Sequence, residues 1–212
     1  MTYSQHGEDL IVDELNIINE HSTILDIGAN DGITFSNSRM FIQKYNCNAF
    51  LVEPTSNCVS LLNDLYENTK NVHVLPYAIS TQTGELEINI GNLMDLPTCI
   101  NQVSTLLDSE KQYWESSRGV EYSNEIVQSI QPKQLIDMIK SYDINNVDLL
   151  SIDTEGLDYF ILNELYSLDI IPKIIIFEWN RKNDVLSKCM ELLSSKYELI
   201  YKNDVNLIFK LS

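Results

Sequence analysis

Two short runs of the chain set carboxylates beside glycines. One is Asp26-Ile27-Gly28-Ala29-Asn30-Asp31-Gly32, followed further on by Glu53-Pro54; the other is Ser151-Ile152-Asp153-Thr154-Glu155-Gly156-Leu157-Asp158. Carboxylates accept hydrogen bonds from hydroxyls, exchange protons and bind hard cations, while glycine lets a backbone turn sharply or come close to another group. Glu178-Trp179 adds a third acid beside an aromatic ring, and His6 is the one histidine in a polar, loop-like setting. Such residues act only if the fold brings them to one place.

The surrounding pattern supplies elements that do so. Short apolar, β-branched runs alternate with stretches of helical period, the pattern of a mostly parallel sheet covered by helices on both faces. Strands are expected at 23–27, 49–53, 72–79, 147–152 and 173–178, with Pro76 marking a bulge or an end in the third. Helices are expected at 36–45, around Leu61 to Tyr66, within 104–117, at 132–142, at 158–168 and near 184–195. Residues 85–90 alternate with period two and read as an exposed or edge strand, and 198–201 with 205–209 read as a closing β-hairpin. The expected fold is a Rossmann-like, doubly wound α/β/α domain over 1–212, with an N-terminal segment at 1–22 and an irregular insertion at 91–132.

In this fold the Asp26–Gly32 loop leaves the carboxyl end of the first strand, where open α/β sheets bind ligands. A dinucleotide calls for Gly-x-Gly-x-x-Gly, so that backbone amides cradle a pyrophosphate. The loop offers instead two glycines and two acids, Asp26 and Asp31, which would repel phosphate. S-adenosylmethionine is a phosphate-free nucleoside with a cationic sulfonium and amino group, and it suits them. Glu53, at the end of the second strand, stands where an acid roughly 20–25 residues past such a loop binds ribose hydroxyls. Asp26, Gly28, Ala29, Asn30, Gly32, Glu53 and Pro54 are the expected cofactor residues, and Ala78 and Ser80, past the third strand, are expected around the adenine.

Composition narrows the partners. Fourteen Lys and Arg against 31 Asp and Glu give a formal charge of −17, which disfavours nucleic acid as a substrate. No apolar run is long enough to span a bilayer, and the polar, acidic start does not read as a secretory signal. Cys47, Cys58, Cys99 and Cys189 are scattered, as reduced thiols of a cytoplasmic protein would be.

The sequence resembles the FkbM-type methyltransferases, a branch of the class I S-adenosylmethionine-dependent enzymes. Three stretches carry the likeness: Ser4-Gln5-His6-Gly7-Glu8-Asp9, Ile24–Gly32 with Glu53-Pro54, and Ser151–Asp158. Ser151 stands where many members have Lys, and Asp158 where Glu is usual. The resemblance implies O-methylation of a hydroxyl on a sugar, glycolipid or other small acceptor.

Methyl transfer needs an acceptor aligned with an activated carbon, and a hydroxyl acceptor needs a base for its proton. Asp153, Glu155, Glu178 and His6 are the candidates. Asp153 and Glu155, two residues apart, share a side if their strand persists, and together could also hold Mg²⁺; alternatively Asp153 caps the next helix and Glu155 is solvated. Trp179 could stack on a ring or belong to the core. Tyr113, Trp114 and Tyr122, within the 91–132 insertion, could wall an acceptor pocket or pack on the sheet. Two other readings stay open: a binding module of the same fold without turnover, and a nicotinamide-dependent oxidoreductase.

Overall fold

The computed structural model describes residues 2–92, 103–180 and 182–212. Seven helices and ten strands follow the chain among these residues: α1 Glu8–Glu14, β1 Thr23–Ile27, α2 Arg39–Tyr45, β2 Asn48–Val52, α3 Ser56–Tyr66, β3 Val72–Leu75, β4 Ala78–Ile79, β5 Gly84–Gly91, α4 Asp108–Arg118, β6 Tyr122–Ile130, α5 Pro132–Lys140, β7 Leu149–Ile152, α6 Asp158–Ser167, β8 Ile174–Glu178, α7 Asn183–Leu193, β9 Tyr197–Lys202 and β10 Asn206–Leu211. The main sheet runs β3-β2-β1-β7-β8-β10-β9. Its first five strands are parallel, and β10 lies antiparallel between β8 and β9.

Period two decides the layers. Leu25, Ile27, Phe50, Val52, Leu150, Ile152, Ile175 and Phe177 face α5, α6 and α7 through Leu135, Leu162 and Leu193. Their neighbours Ile24, Ala49, Leu51, Leu149, Ile174 and Ile176 face α1, α2 and α3 through Val12, Phe41 and Leu62. Each fully buried side chain of this size contributes roughly 1.5–3 kcal/mol, so the two apolar faces hold the sheet between its helices. The chain winds outward from β1 in both directions, which opens a crevice between the carboxyl ends of β1 and β7.

Four features depart from the sequence pattern. The third strand splits at Pro76, which has no N–H for the ladder, and β4 leaves the main sheet. A second, three-stranded sheet, β4-β6-β5, carries β5 on an edge, and its member β6 was not expected at all. The 7-residue helix α1 lies in what reads as an N-terminal segment. Helix α2 begins at Arg39 rather than Ser36, because Ser36, Asn37 and Ser38 spend their side chains on Arg39 N, Ser151 and Asp26. No helix among the described residues is long and apolar enough to cross a membrane.

Candidate active site

The β1 loop is shaped by close approach to its neighbours. Gly28 has φ +89°, and a Cβ there would lie 1.7 Å from the carbonyl oxygen of Asp153. The Asp153 amide in turn donates to Ile27 O at 2.9 Å, and Gly28 and Ala29 donate to Val52 O. Three strand ends are thereby laced together at one point, and the glycine makes room for the Asp153 carbonyl just past β7. Gly32, also at positive φ, packs on Leu62, Leu65 and Tyr66 of α3 and is not among the residues lining the cleft.

That cleft opens to solvent, and the space in and over it amounts to about 980 Å³. Asp26, Gly28, Ala29, Asn30, Glu53, Pro54, Ala78, Asp153 and Glu155 all line it. Ser80 does not: its hydroxyl is 2.8 Å from that of Ser129 and serves the second sheet.

Asp26 accepts from Ser38 Oγ at 2.6 Å; burial raises its carboxyl, and the Ser38 and Ser151 hydroxyls restrain the rise. The other loop acid faces away from the cleft. Asp31 accepts from the amides of Ile33 and Thr34 and from the Thr34 hydroxyl, closing its own turn. Glu53 Oε1 accepts from Thr55 N and Thr55 Oγ1, and Oε2 from Asn30 N at 3.1 Å. Burial raises Glu53 as well, opposed by those donors.

The second acidic run departs from strand geometry. β7 ends at Ile152, so Asp153 and Glu155 are not aligned by strand period. The chain turns through Glu155 (φ +53°) and Gly156 (φ +127°) instead. Asp158 holds that turn, accepting from Thr154 N, Thr154 Oγ1 and Gly156 N at 2.6, 3.0 and 2.9 Å. Thus Asp158, not Asp153, pins the entry to α6.

The turn delivers Asp153 and Glu155 to Glu178 at the end of β8, one carboxylate oxygen from each lying within 4.8 Å of the others. Crowding buried acids disfavours the charged form of each. Asp153 is pushed up to about 7 by burial and by Asp158, restrained by a hydrogen bond with Glu178. Glu155 and Glu178 are raised well above the usual carboxylate range, first by burial and then by the other acids. The trio can therefore carry protons near neutral pH, or exchange them for a hard cation such as Mg²⁺, which prefers carboxylate oxygens.

Among the described residues, two buried acceptors on the cleft's lining have no hydrogen-bond partner, Asn37 Oδ1 and Glu155 Oε2. Trp114 Nε1 is also buried and unpartnered in bonding geometry, although it lies near enough to favour the charged form of Glu155.

Other expected residues fall elsewhere. His6 is exposed and outside the cleft lining, its backbone amide donating to Glu8. Trp179 belongs to the core, with Nε1 bonded to Asn203 O and Lys202 Nζ 4.3 Å from its ring centroid. From the 91–132 segment, Ser104 and Leu106 line the cleft, whereas Tyr113, Trp114 and Tyr122 do not. A second cavity of about 560 Å³ lies beside the trio, lined by Glu178, Asp158, Tyr159 and the ion pair of Lys182 with Glu110 at 2.6 Å. Cys47 and Cys189 are buried free thiols, and Cys58, also buried, donates its thiol to Asn30 Oδ1; Cys99 lies outside the described residues.

Sequence reading missed Ser38, Asn37 and Asp158, which position the acids. Serines, asparagine and aspartate just before or at a helix start are a signal for local hydrogen bonding, but not for which partner they find.

A Rossmann-like sheet of this order with an acidic cleft at its carboxyl edge defines a class I methyltransferase fold. Residues 26–197 match the methyltransferase FkbM domain, and the chain belongs to that family. No curated protein matches it in sequence. Among solved structures the fold is similar to methyltransferase FkbM from Methylobacillus flagellatus KT, at 13% identity and TM-score 0.54, covering 91% of this chain and 44% of that one. It is also similar to precorrin-6y C5,15-methyltransferase from Geobacter metallireducens GS-15, at 13% identity and TM-score 0.52, covering 98% and 88%. An rRNA methylase from Streptococcus thermophilus shares the fold at 9% identity and TM-score 0.54, covering 100% and 98%.

Proposed function

We propose that the chain is an S-adenosylmethionine-dependent methyltransferase acting on a hydroxyl of a small, carbohydrate-like acceptor. The observation that carries the cofactor is the polarity of the cleft. Asp26, Glu53, Asp153 and Glu155 line it with no Lys, Arg or His among the described lining residues, and its two orphaned polar atoms are acceptors. A ligand rich in donors and bearing positive charge fits that lining. A pyrophosphate would meet four acids and no cation, which weighs against a nicotinamide dinucleotide.

When bound, S-adenosylmethionine supplies a methyl group already activated on a sulfonium. Glu53, held at the end of β2 by Thr55 and Asn30, is placed to accept from ribose hydroxyls. Gly28, Ala29, Asn30, Pro54 and Ala78 form the wall beside it, and Asn37 Oδ1 offers an acceptor to a cationic amino group. Asp153 takes the acceptor's proton, since a carboxyl raised to about 7 is both ionised in part and basic enough near neutral pH. Burial, Asp158, Asp26 and Glu53 keep it so against a hydrogen bond with Glu178, and one oxygen each from Asp153, Glu155 and Glu178 can hold Mg²⁺. The O-methyl specificity follows the family resemblance. The buried free thiols of Cys47 and Cys189 suit a reducing compartment such as the cytoplasm.

Calorimetric titration with S-adenosylhomocysteine and with NAD tests the cofactor, the expected result being saturable binding of the first only. Transfer of a labelled methyl group to a panel of sugars, with Mg²⁺ and with EDTA, tests the rest. NAD binding without S-adenosylhomocysteine binding overturns the proposal.

A further inference from the structure

The Ser4–Asp9 run is the one motif of the sequence that the site has not absorbed. Both of its acids are fully buried. Asp9 folds the segment on itself, accepting from Thr2 Oγ1, Tyr3 N, Ser4 Oγ and Leu10 N. Glu8 does something different. Its Oε2 takes the His6 amide, while Oε1 accepts from the side-chain amides of Asn203 and Asn206, each at 2.9 Å and nearly the whole chain away in sequence.

Those two asparagines control the end of β8. Asn206 pairs in register with Glu178. Asn203 Oδ1 accepts from the amides of Val205 and Asn206, which fixes the turn, and Asn203 O accepts the Trp179 indole N–H. Within that turn Val205 O takes both the Trp179 and the Asn180 amides, at 2.8 and 3.2 Å. Glu178 immediately precedes this anchored pair. At its other end the segment reaches the cofactor side, where Ser4 forms a bridge with Phe35 of the cleft lining and the Tyr3 ring lies 5.0 Å from the Arg39 guanidinium.

We infer that Glu8 is a positioning residue: through Asn203, Asn206 and the Val205 carbonyl it fixes the end of β8, and with it the Glu178 carboxylate of the trio. The N-terminal motif is thus a strap from the cofactor rim to the β8 rim. A buried carboxylate that accepts from neutral donors among the described residues is well suited to this, since it accepts several bonds at once. Those bonds hold the Glu8 carboxyl below its usual range against burial, which raises it. The inference rests on the methyltransferase reading only in taking the trio as the reacting centre.

Amide hydrogen exchange on the ligand-free protein tests it without that reading. In Glu8→Ala, protection at Trp179 and Asn180 should fall at least tenfold while Leu25 and Leu51 change less than twofold. Glu8→Gln, which keeps an acceptor oxygen, should restore most of it. Should Glu8→Ala not fold, Asn206→Ala cuts the same link from the other side and should give the same local loss. Protection that is unchanged, or lowered equally throughout, overturns the proposal. With an acceptor in hand, kcat should fall at least tenfold in Glu8→Ala with the cofactor KM within twofold; unchanged kcat also overturns it. A failure of methyl transfer in the parent protein alone would count against the proposed function and not against the strap.

Discussion

The two halves of the cleft are built on opposite terms. On the side proposed for the cofactor, around Gly28, Asn30 and Glu53, each acid is matched by donors: Glu53 takes three, Asp26 takes Ser38, and Asp31 closes its own turn. On the β7–β8 side three carboxylates, Glu178 buried and Asp153 and Glu155 half-buried, crowd one another, and Glu155 Oε2 and Trp114 Nε1 have no hydrogen-bond partner among the described residues. The first half is a rigid mould. The second stores electrostatic stress that a proton, a cation or a substrate would relieve. Stability and reactivity are therefore segregated within a single crevice.

Breaking the mould should have the largest effect. Gly28→Ala drives a Cβ into the Asp153 carbonyl at a positive φ, so we expect a loss of about 3 kcal/mol or more in denaturant unfolding, with ligand binding abolished. Unfolding within 1 kcal/mol of the parent would mean that the loop has room the packing denies.

On the stressed side, Asp153→Asn should lower turnover about 100-fold or more while S-adenosylhomocysteine affinity shifts by about threefold at most, since the substitution removes only the proposed base. Rates that match the parent would remove Asp153 from the chemistry. The intermediate case is Glu53→Ala, expected to weaken cofactor binding by about 1–3 kcal/mol in calorimetry for lost charged hydrogen bonds.

The stress should also show in pH. Asp153 is raised to about 7 in the fold, and an unfolded aspartate titrates far lower. Its contribution to stability is therefore full below the unfolded value and is lost as pH rises through about 7. The thermal midpoint of the ligand-free protein should fall between pH 5 and 8, and Asp153→Asn should flatten that fall. A midpoint that climbs over this range would contradict the crowding. The smallest effect is expected from His6→Ala, which leaves the backbone bond to Glu8 in place; turnover should change by less than about twofold, and a large loss would bring the imidazole back into the site.

Legibility in the sequence followed the same division. The β1 loop, Glu53 and the Asp153–Glu155 run were readable because each sits at a strand end, where an apolar run stops and an acid begins. Ser80 and Gly32 were misplaced for the same reason. Their positions along the chain suited the cleft, but Ser80 turns to Ser129 and Gly32 to Leu62. β6 was illegible because its outer half faces solvent and its alternation is carried by Ser, Asn, Glu and Gln; only pairing with β5 makes it a strand.

Local pattern alone determined the α/β layering and the order of the strands and helices of the main sheet from β1 onward, since apolar period and strand-end chemistry are properties of neighbouring residues; α1 and β6 lay outside it. Tertiary structure decided which acids meet. Asp153, Glu155 and Glu178 converge through a turn held by Asp158, and Gly28 is required by a carbonyl more than a hundred residues away in sequence. Contacts of that kind depend on how the sheet folds back on itself, and no local spacing encodes them.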